Sequence, residues 1–192
     1  MPENTAILLL AAGESRRMGT PKQLLEFGGK PLLRHSAEVA LASGCGPVVV
    51  VLGAREQEMR AALTGLPVAV AINDRWPEGM GTSIQAGLRA LDGLEVSGAI
   101  VALADQPFVT AEFLRGLTST GKRIAAAQYA GTVGVPVYFA KSAFPLLQAL
   151  KPDQGCKGVI LGNPEDRVLI ECPEAEVDID TPEEYAAAAA KL

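Results

Sequence analysis

One histidine, His35, and three cysteines, Cys45, Cys156 and Cys172, are all that 192 residues supply of the softer metal ligands. The cysteines are odd in number and widely spaced, and no C-x-x-C occurs. That excludes a disulfide framework and a zinc site of the usual spacing, and predicts reduced thiols in a cytoplasmic protein. A lone histidine rules against a His-based metal centre or a Ser-His-Asp triad. Basic excess is also missing: the net charge is −5, which speaks against general nucleic-acid binding. No apolar run is long enough to cross a membrane. The first apolar run follows Pro2-Glu3-Asn4 without a basic lead, so a secretory signal is not expected. The length predicts one domain, residues 1–192.

What the chain does have is alternation. Apolar runs take turns with helical patterns, the sign of an α/β layout on a mostly parallel sheet. Strands are predicted at 5–12, 48–52, 68–72, 99–103, 124–128, 135–139 and 167–170. Helices are predicted at 31–43, 55–63, 82–91, 142–150, 156–161 and 182–191, with Thr110 capping another. The segment 129–134 reads as a loop or hairpin that breaks the parallel order.

Residues 7–24 carry the most chemistry. The run Ile7 to Ala12 stops at Gly13, and a polar loop follows with Arg16, Arg17, Gly19, Pro21 and Lys22. Glycine lets backbone approach a ligand closely, and the basic side chains with free loop amides suit phosphate oxygens. The spacing is neither G-x-x-x-x-G-K-[ST] nor G-x-G-x-x-G. A second glycine-rich stretch, Trp76 to Leu88, opens a helix, with Thr82 and Ser83 as candidate caps and its amides able to face an anion. Asp105 follows the predicted strand 99–103, at the strand end where open α/β sheets bind ligands. Asp178 and Asp180 alternate onto one face of an extended segment, and Asp180-Thr181-Pro182 also reads as a helix start. Mg²⁺ takes one or two carboxylates plus substrate phosphates, which Asp105 and one later aspartate can supply.

The first loop resembles the L-A-[AG]-G-x-S-x-R-[MF]-G-x-x-K signature of nucleotidyltransferases, with Leu10, Ala11, Ala12, Gly13, Ser15, Arg17, Met18, Gly19 and Lys22 in place. Gly79, Met80 and Ser83 match a G-M-x-x-S element, Asp105 an L-x-D-x-P element and Asp178 to Glu184 a D-x-D-T-P-E-[DE] element. The whole is similar to the molybdenum-cofactor cytidylyltransferase group, relatives of the molybdenum-cofactor guanylyltransferases and of the methylerythritol-phosphate cytidylyltransferases. The resemblance implies a three-layer, Rossmann-like nucleotidyltransferase fold with a mostly parallel mixed sheet. It implies transfer of CMP from CTP to a phosphorylated acceptor, the molybdopterin form of the cofactor, with release of pyrophosphate. Partners would then be CTP, that acceptor and, transiently, a molybdoenzyme or its chaperone, with no nucleic acid or membrane involved.

The implied roles are as follows. Arg17, Lys22 and Asp105 are catalytic. Leu10, Ala11, Ala12, Gly13, Arg16, Lys22, Asn73, Gly79, Met80 and Ser83 bind the nucleotide. Asp105 and Asp180 hold Mg²⁺, with Asp178 the less favoured alternative, and Lys157 meets the acceptor. Lys30 in the Gly-Gly-Lys-Pro-Leu turn reads as structural. Ala12 stands where L-A-A-G marks pyrimidine users and L-A-G-G guanine users. Alternatives are a guanylyltransferase, a sugar-alcohol-phosphate cytidylyltransferase, and a non-catalytic nucleotide-binding protein that delivers cofactor.

Overall fold

A computed structural model describes residues 4–15 and 18–192. Strand β1 (Thr5–Leu10) leads through the loop to a two-strand ribbon, β2 (Glu26–Phe27) and β3 (Lys30–Pro31). Then come α1 (Leu32–Ala42), β4 (Val48–Leu52), α2 (Glu56–Ala62), β5 (Ala69–Ile72), α3 (Met80–Arg89) and β6 (Gly98–Leu103). The second half runs α4 (Ala111–Leu117), β7 (Ile124–Tyr129), β8 (Thr132–Ala140), α5 (Phe144–Gln148), α6 (Cys156–Gly162), β9 (Arg167–Glu171) and α7 (Pro182–Ala189).

The main sheet has seven strands in the order β5-β4-β1-β6-β8-β7-β9. All neighbours are parallel except those of β8, which runs antiparallel to both β6 and β7. The mostly parallel mixed sheet read from the sequence is therefore present, and the hairpin at Ala130-Gly131 is what reverses the order. Strands buried on both faces need continuous apolar runs, and β1 and β4 have them. Leu8, Leu10, Val49 and Val51 point to one face, against Ile84 of α3 and Leu147 and Ile160 of the later helices. Ile7, Leu9, Val50 and Leu52 point to the other, against Leu33 and Ala37 of α1 and Met59 of α2. These are the three layers. A smaller cluster of Phe27, Leu32, Ile179 and Ala188 fastens the C-terminal segment to the ribbon.

Several boundaries move for local reasons. Helix α1 starts at Leu32 because Pro31 is still extended and paired in the ribbon. Helix α3 begins at Met80 with Gly79 as its cap, so Thr82 and Ser83 lie inside the first turn and do not cap it. The predicted helix 142–150 divides into a 3₁₀ turn, Lys141–Ala143, and α5. Thr110 does cap α4, accepting from Phe113 N–H at 3.1 Å. His35 lies on α1, packed edge-on to Phe27 with Nε2 2.8 Å from the Pro107 carbonyl oxygen. All three cysteines are free and buried. Burial pushes the Cys156 thiol up to about 12 and that of Cys172 to about 11, which removes thiolate chemistry at neutral pH. Among the described residues no helix is long and apolar enough to cross a membrane.

Candidate active site

β1 and β6 are parallel neighbours at the point where the strand order reverses, the chain passing from β1 to β4 towards one edge of the sheet and from β6 to β7 towards the other. Open α/β sheets bind ligands in the crevice beyond such strand ends. A cavity of about 350 Å³ lies there. Its floor is Leu10 to Gly13 and Leu103; Lys22, Asp105 and Asp180 bound it on one side, and Trp76, Gly79, Met80 and Ser83 on the other.

The floor is tied to β4. Ala11 N–H donates to Val51 O at 2.9 Å, and Ala54 N–H donates to Ala12 O at 3.0 Å. Beyond Gly13 the loop closes on itself through two polar side chains. Gln23 Nε2 donates to Gly13 O at 3.0 Å, Ser15 Oγ donates to Gln23 Oε1 at 3.0 Å, and Lys22 N–H donates to Ser15 Oγ at 3.1 Å. Ser15 holds φ at 58° to do so, a conformation uncommon outside glycine; two side-chain hydrogen bonds offset it. This clasp fixes where Lys22 leaves the backbone. Arg16 and Arg17, assigned above to phosphate binding and catalysis, lie outside the described residues.

Lys22 joins two distant carboxylates. Its Nζ is 2.5 Å from Asp105 Oδ2 and 2.5 Å from Asp180 Oδ1. Asp105 arrives from the end of β6. Asp180 arrives because Ile179, fully buried, donates its N–H to Asp105 O at 3.0 Å. Thr181, not Asp180, caps α7, in a reciprocal box with Glu184. Tyr185 of α7 then hydrogen-bonds Glu26 O at 2.7 Å and anchors the helix to the ribbon. Burial works against the charged form of Lys22, but Asp105 and Asp180 outweigh it, and its pKa is held above the ordinary lysine value. Asp178, the other candidate, is exposed, and the ion pairs of Lys22 among the described residues are with Asp105 and Asp180. Partial desolvation of its carboxyl by the neighbouring chain, with the charges of Asp105 and Asp180, pushes its pKa up.

Oδ1 of Asp105 is buried and lacks a hydrogen-bond partner among the described residues. A buried acceptor left in this way is uncommon and marks a place for a missing donor or ion. The donors are hard oxygens, the type Mg²⁺ or Mn²⁺ prefers. No group of three or more His, Cys, Asp or Glu residues that could hold a metal occurs among the described residues. Two carboxylates are what a cation completed by water and phosphate requires.

The opposite wall is neutral. Gly79 has φ 129°, and a Cβ there would meet Pro152 O at 2.5 Å. Gly81 N–H donates to Pro152 O at 2.9 Å, and a side chain at Gly81 would strike Lys151 O. These glycines let the loop 151–154 close over the start of α3. Asn73 does not line the cavity, contrary to its assignment as a nucleotide contact. Its Nδ2 is 2.9 Å from both Thr82 Oγ1 and Ser83 Oγ, and Oδ1 accepts from Arg75 N–H at 3.1 Å. Its side chain is spent on holding the first turn of α3. Lys157 is likewise not brought to the central cavity; it is exposed beside a separate groove with Leu146, Leu150 and Val159. Lys30 pairs with Glu38 at 2.6 Å. Gln23 and Trp76 line the cavity without having been assigned to it. Trp76 had a visible signal, as the sole tryptophan in a glycine-rich run; Gln23 had none.

A parallel-sheet crevice with a lysine between two carboxylates and a glycine-cleared helix start defines an α/β nucleotidyltransferase. Residues 7–168 match the MobA-like NTP transferase domain, and the chain belongs to that family. Purine catabolism protein PucB of Bacillus subtilis is 31% identical over 191 residues, covering 93% of this chain and 92% of that one. Nicotine blue oxidoreductase of Paenarthrobacter nicotinovorans is 32% identical over 190 residues, 92% of each chain. Among solved structures, Rv0371c of Mycobacterium tuberculosis H37Rv superimposes with a TM-score of 0.85 at 27% identity, over 99% of this chain and 100% of that one. The manganese complex of Rv0371c gives a TM-score of 0.77 at 26% identity, with the same coverage.

Proposed function

We propose that this protein transfers CMP from CTP to a phosphorylated acceptor, the molybdopterin form of the molybdenum cofactor, and releases pyrophosphate in the cytoplasm. The observation that carries this reading is the convergence of Lys22, Asp105 and Asp180 at the edge of the β1–β6 cavity. An oxygen of the acceptor phosphate attacks the α-phosphorus, the bond to the β-phosphate oxygen breaks, and the electron pair leaves with pyrophosphate. The acceptor phosphate is already ionised near neutral pH, so no general base is needed. The work left for the protein is positioning two polyanions and stabilising charge on the departing group. Lys22 supplies positive charge there. The amides at Gly13 and at the start of α3 line the space for phosphates and nucleoside. Asp105 and Asp180 would hold Mg²⁺, and the manganese complex of Rv0371c supports a divalent cation in this fold. When bound, the ion neutralises phosphate charge.

Ala12 is the residue for base choice. It is 6% exposed and forms part of the cavity floor, where its methyl takes space a purine would need. The test is pyrophosphate release from each of the four nucleoside triphosphates with molybdopterin and with methylerythritol phosphate. CTP with molybdopterin should be the productive pair, and Ala12→Gly should raise the GTP rate relative to CTP. A clear GTP preference in the unaltered protein would sink the assignment of CTP.

A second reading comes from the relative named nicotine blue oxidoreductase, whose match runs nearly end to end. A protein that turned over a redox substrate and released no pyrophosphate with any pair would belong with that relative. Binding of CTP without either reaction would instead mark a delivery module.

A further inference from the structure

The cavity already contains a cation of its own, the Lys22 ammonium, bridging Asp105 and Asp180. We propose that Lys22 and a divalent cation take turns at this carboxylate pair, so that metal is admitted together with a polyphosphate and not before it. The inference rests on the nucleotidyltransferase reading for its occasion, but its test does not depend on catalysis.

Three observations support the exchange. The first is steric. Mg²⁺ sits about 2.0–2.1 Å from its oxygens, and the Lys22 nitrogen lies 2.5 Å from one oxygen of each aspartate. An ion bridging those two oxygens would need the space that the ammonium fills. The second is the state of Asp105. Lys22 engages Oδ2, while Oδ1 stays buried and unpartnered among the described residues. One half of the carboxylate is neutralised and the other is held in reserve.

The third is charge. Lys22, 12% exposed, already offsets part of the negative charge of the two aspartates it bridges, and a divalent cation placed beside it would meet like-charge repulsion in partly desolvated surroundings. A polyanion offers the ammonium a new partner. Lysine suits the exchange because its charge rides on a flexible stem. Its backbone N–H is tied to Ser15 Oγ at 3.1 Å, which gives the side chain a fixed base from which its head can swing.

The probe is Mn²⁺ alone, titrated by calorimetry into the full chain without nucleotide. Lys22→Met and Lys22→Gln, each checked for folding by its thermal transition, should bind Mn²⁺ at least about tenfold more tightly than the unaltered protein, a difference of ~1.4 kcal/mol. Lys22→Met combined with Asp105→Asn should lose that gain. Unchanged or weaker Mn²⁺ binding in both single variants would overturn the proposal. A measurement without substitution stands beside it. Paramagnetic resonance should show Mn²⁺ largely free with the unaltered protein and bound once inorganic tripolyphosphate is added. Full binding of Mn²⁺ alone would refute the exchange. If Mn²⁺ behaves as expected but no pyrophosphate is ever released, the exchange stands and the transferase reading fails.

Discussion

Two lysines of this chain sit in small charge clusters built in opposite ways. Lys30 pairs with Glu38, which Arg34 also contacts, and the three side chains are between 31% and 38% exposed. All lie within eight residues of one another on the ribbon and α1. Lys22 meets Asp105 and Asp180 from 83 and 158 residues away, at 12% to 25% exposure. Surface pairs such as the first are worth about 0–1 kcal/mol and are screened by salt. Burying three charges costs desolvation that their attraction only partly returns. A fold has little reason of stability to bring the second cluster together from three distant segments. Its position at the strand ends, beside an open cavity, is where the proposed phosphoryl chemistry would need it.

The sharpest way to break this contrast is to remove one charge from each cluster. Asp105→Ala and Lys22→Ala should each lower pyrophosphate release by roughly 10²–10³-fold or more, the scale of losing a transition-state electrostatic contact. Glu38→Gln should leave release unchanged and cost less than ~1 kcal/mol in denaturant unfolding. Release that persisted in both cavity variants would place the chemistry elsewhere.

The neutral wall differs from the charged one in being held by hydrogen bonds spent internally. Asn73, 2% exposed, supports both Thr82 and Ser83. Asn73→Ala leaves two buried hydroxyls short of a donor, and should destabilise the protein by about 1–3 kcal/mol. If Asn73 contacted the nucleotide directly, the loss would instead appear as weaker CTP binding with an unchanged urea midpoint.

The two walls were not equally legible in the sequence. Strands β1, β4 and β6 could be read because burial on both faces demands unbroken apolar runs, and Val48 to Leu52 leaves no other choice. Asp105 was legible for the same reason, standing at the end of such a run. The hydrogen bonds of Asn73 to Thr82 and Ser83, and the place of Thr82 inside the helix, were not legible because hydrogen bonds between buried side chains follow no period. Thr82 looks like a cap in one dimension; Gly79 takes that place only because the loop 151–154 must lie against Gly81. The role of Gln23 rests on its reach back to Gly13 O, a contact the left-handed turn at Ser15 makes and no pattern announces. The choice of Asp180 over Asp178 as a candidate ligand leaned on resemblance, and its pairing with Lys22 was not legible because the two stand 158 residues apart.

The smallest expected effect separates Asp178 from Asp180. Asp178 is exposed, but partial desolvation of its carboxyl together with the charges of Asp105 and Asp180 raises its pKa above the unfolded value. A carboxyl raised in this way binds its proton more tightly in the folded state. Its contribution to stability is therefore fully present below the unfolded value, near 3.9, and is lost as pH rises through the folded one. At neutral pH the ionised Asp178 is a net burden. Asp178→Asn should then be more stable than the unaltered protein at pH 7, by no more than about 0.5 kcal/mol because solvent screens the group. The advantage should shrink toward pH 4, as paired urea titrations at the two values will show. The same variant should keep its pyrophosphate release, whereas Asp180→Asn should lose it. A reversed pair of activities would move the metal ligand to Asp178 and leave Asp180 as an ion-pair partner of Lys22 that holds no metal.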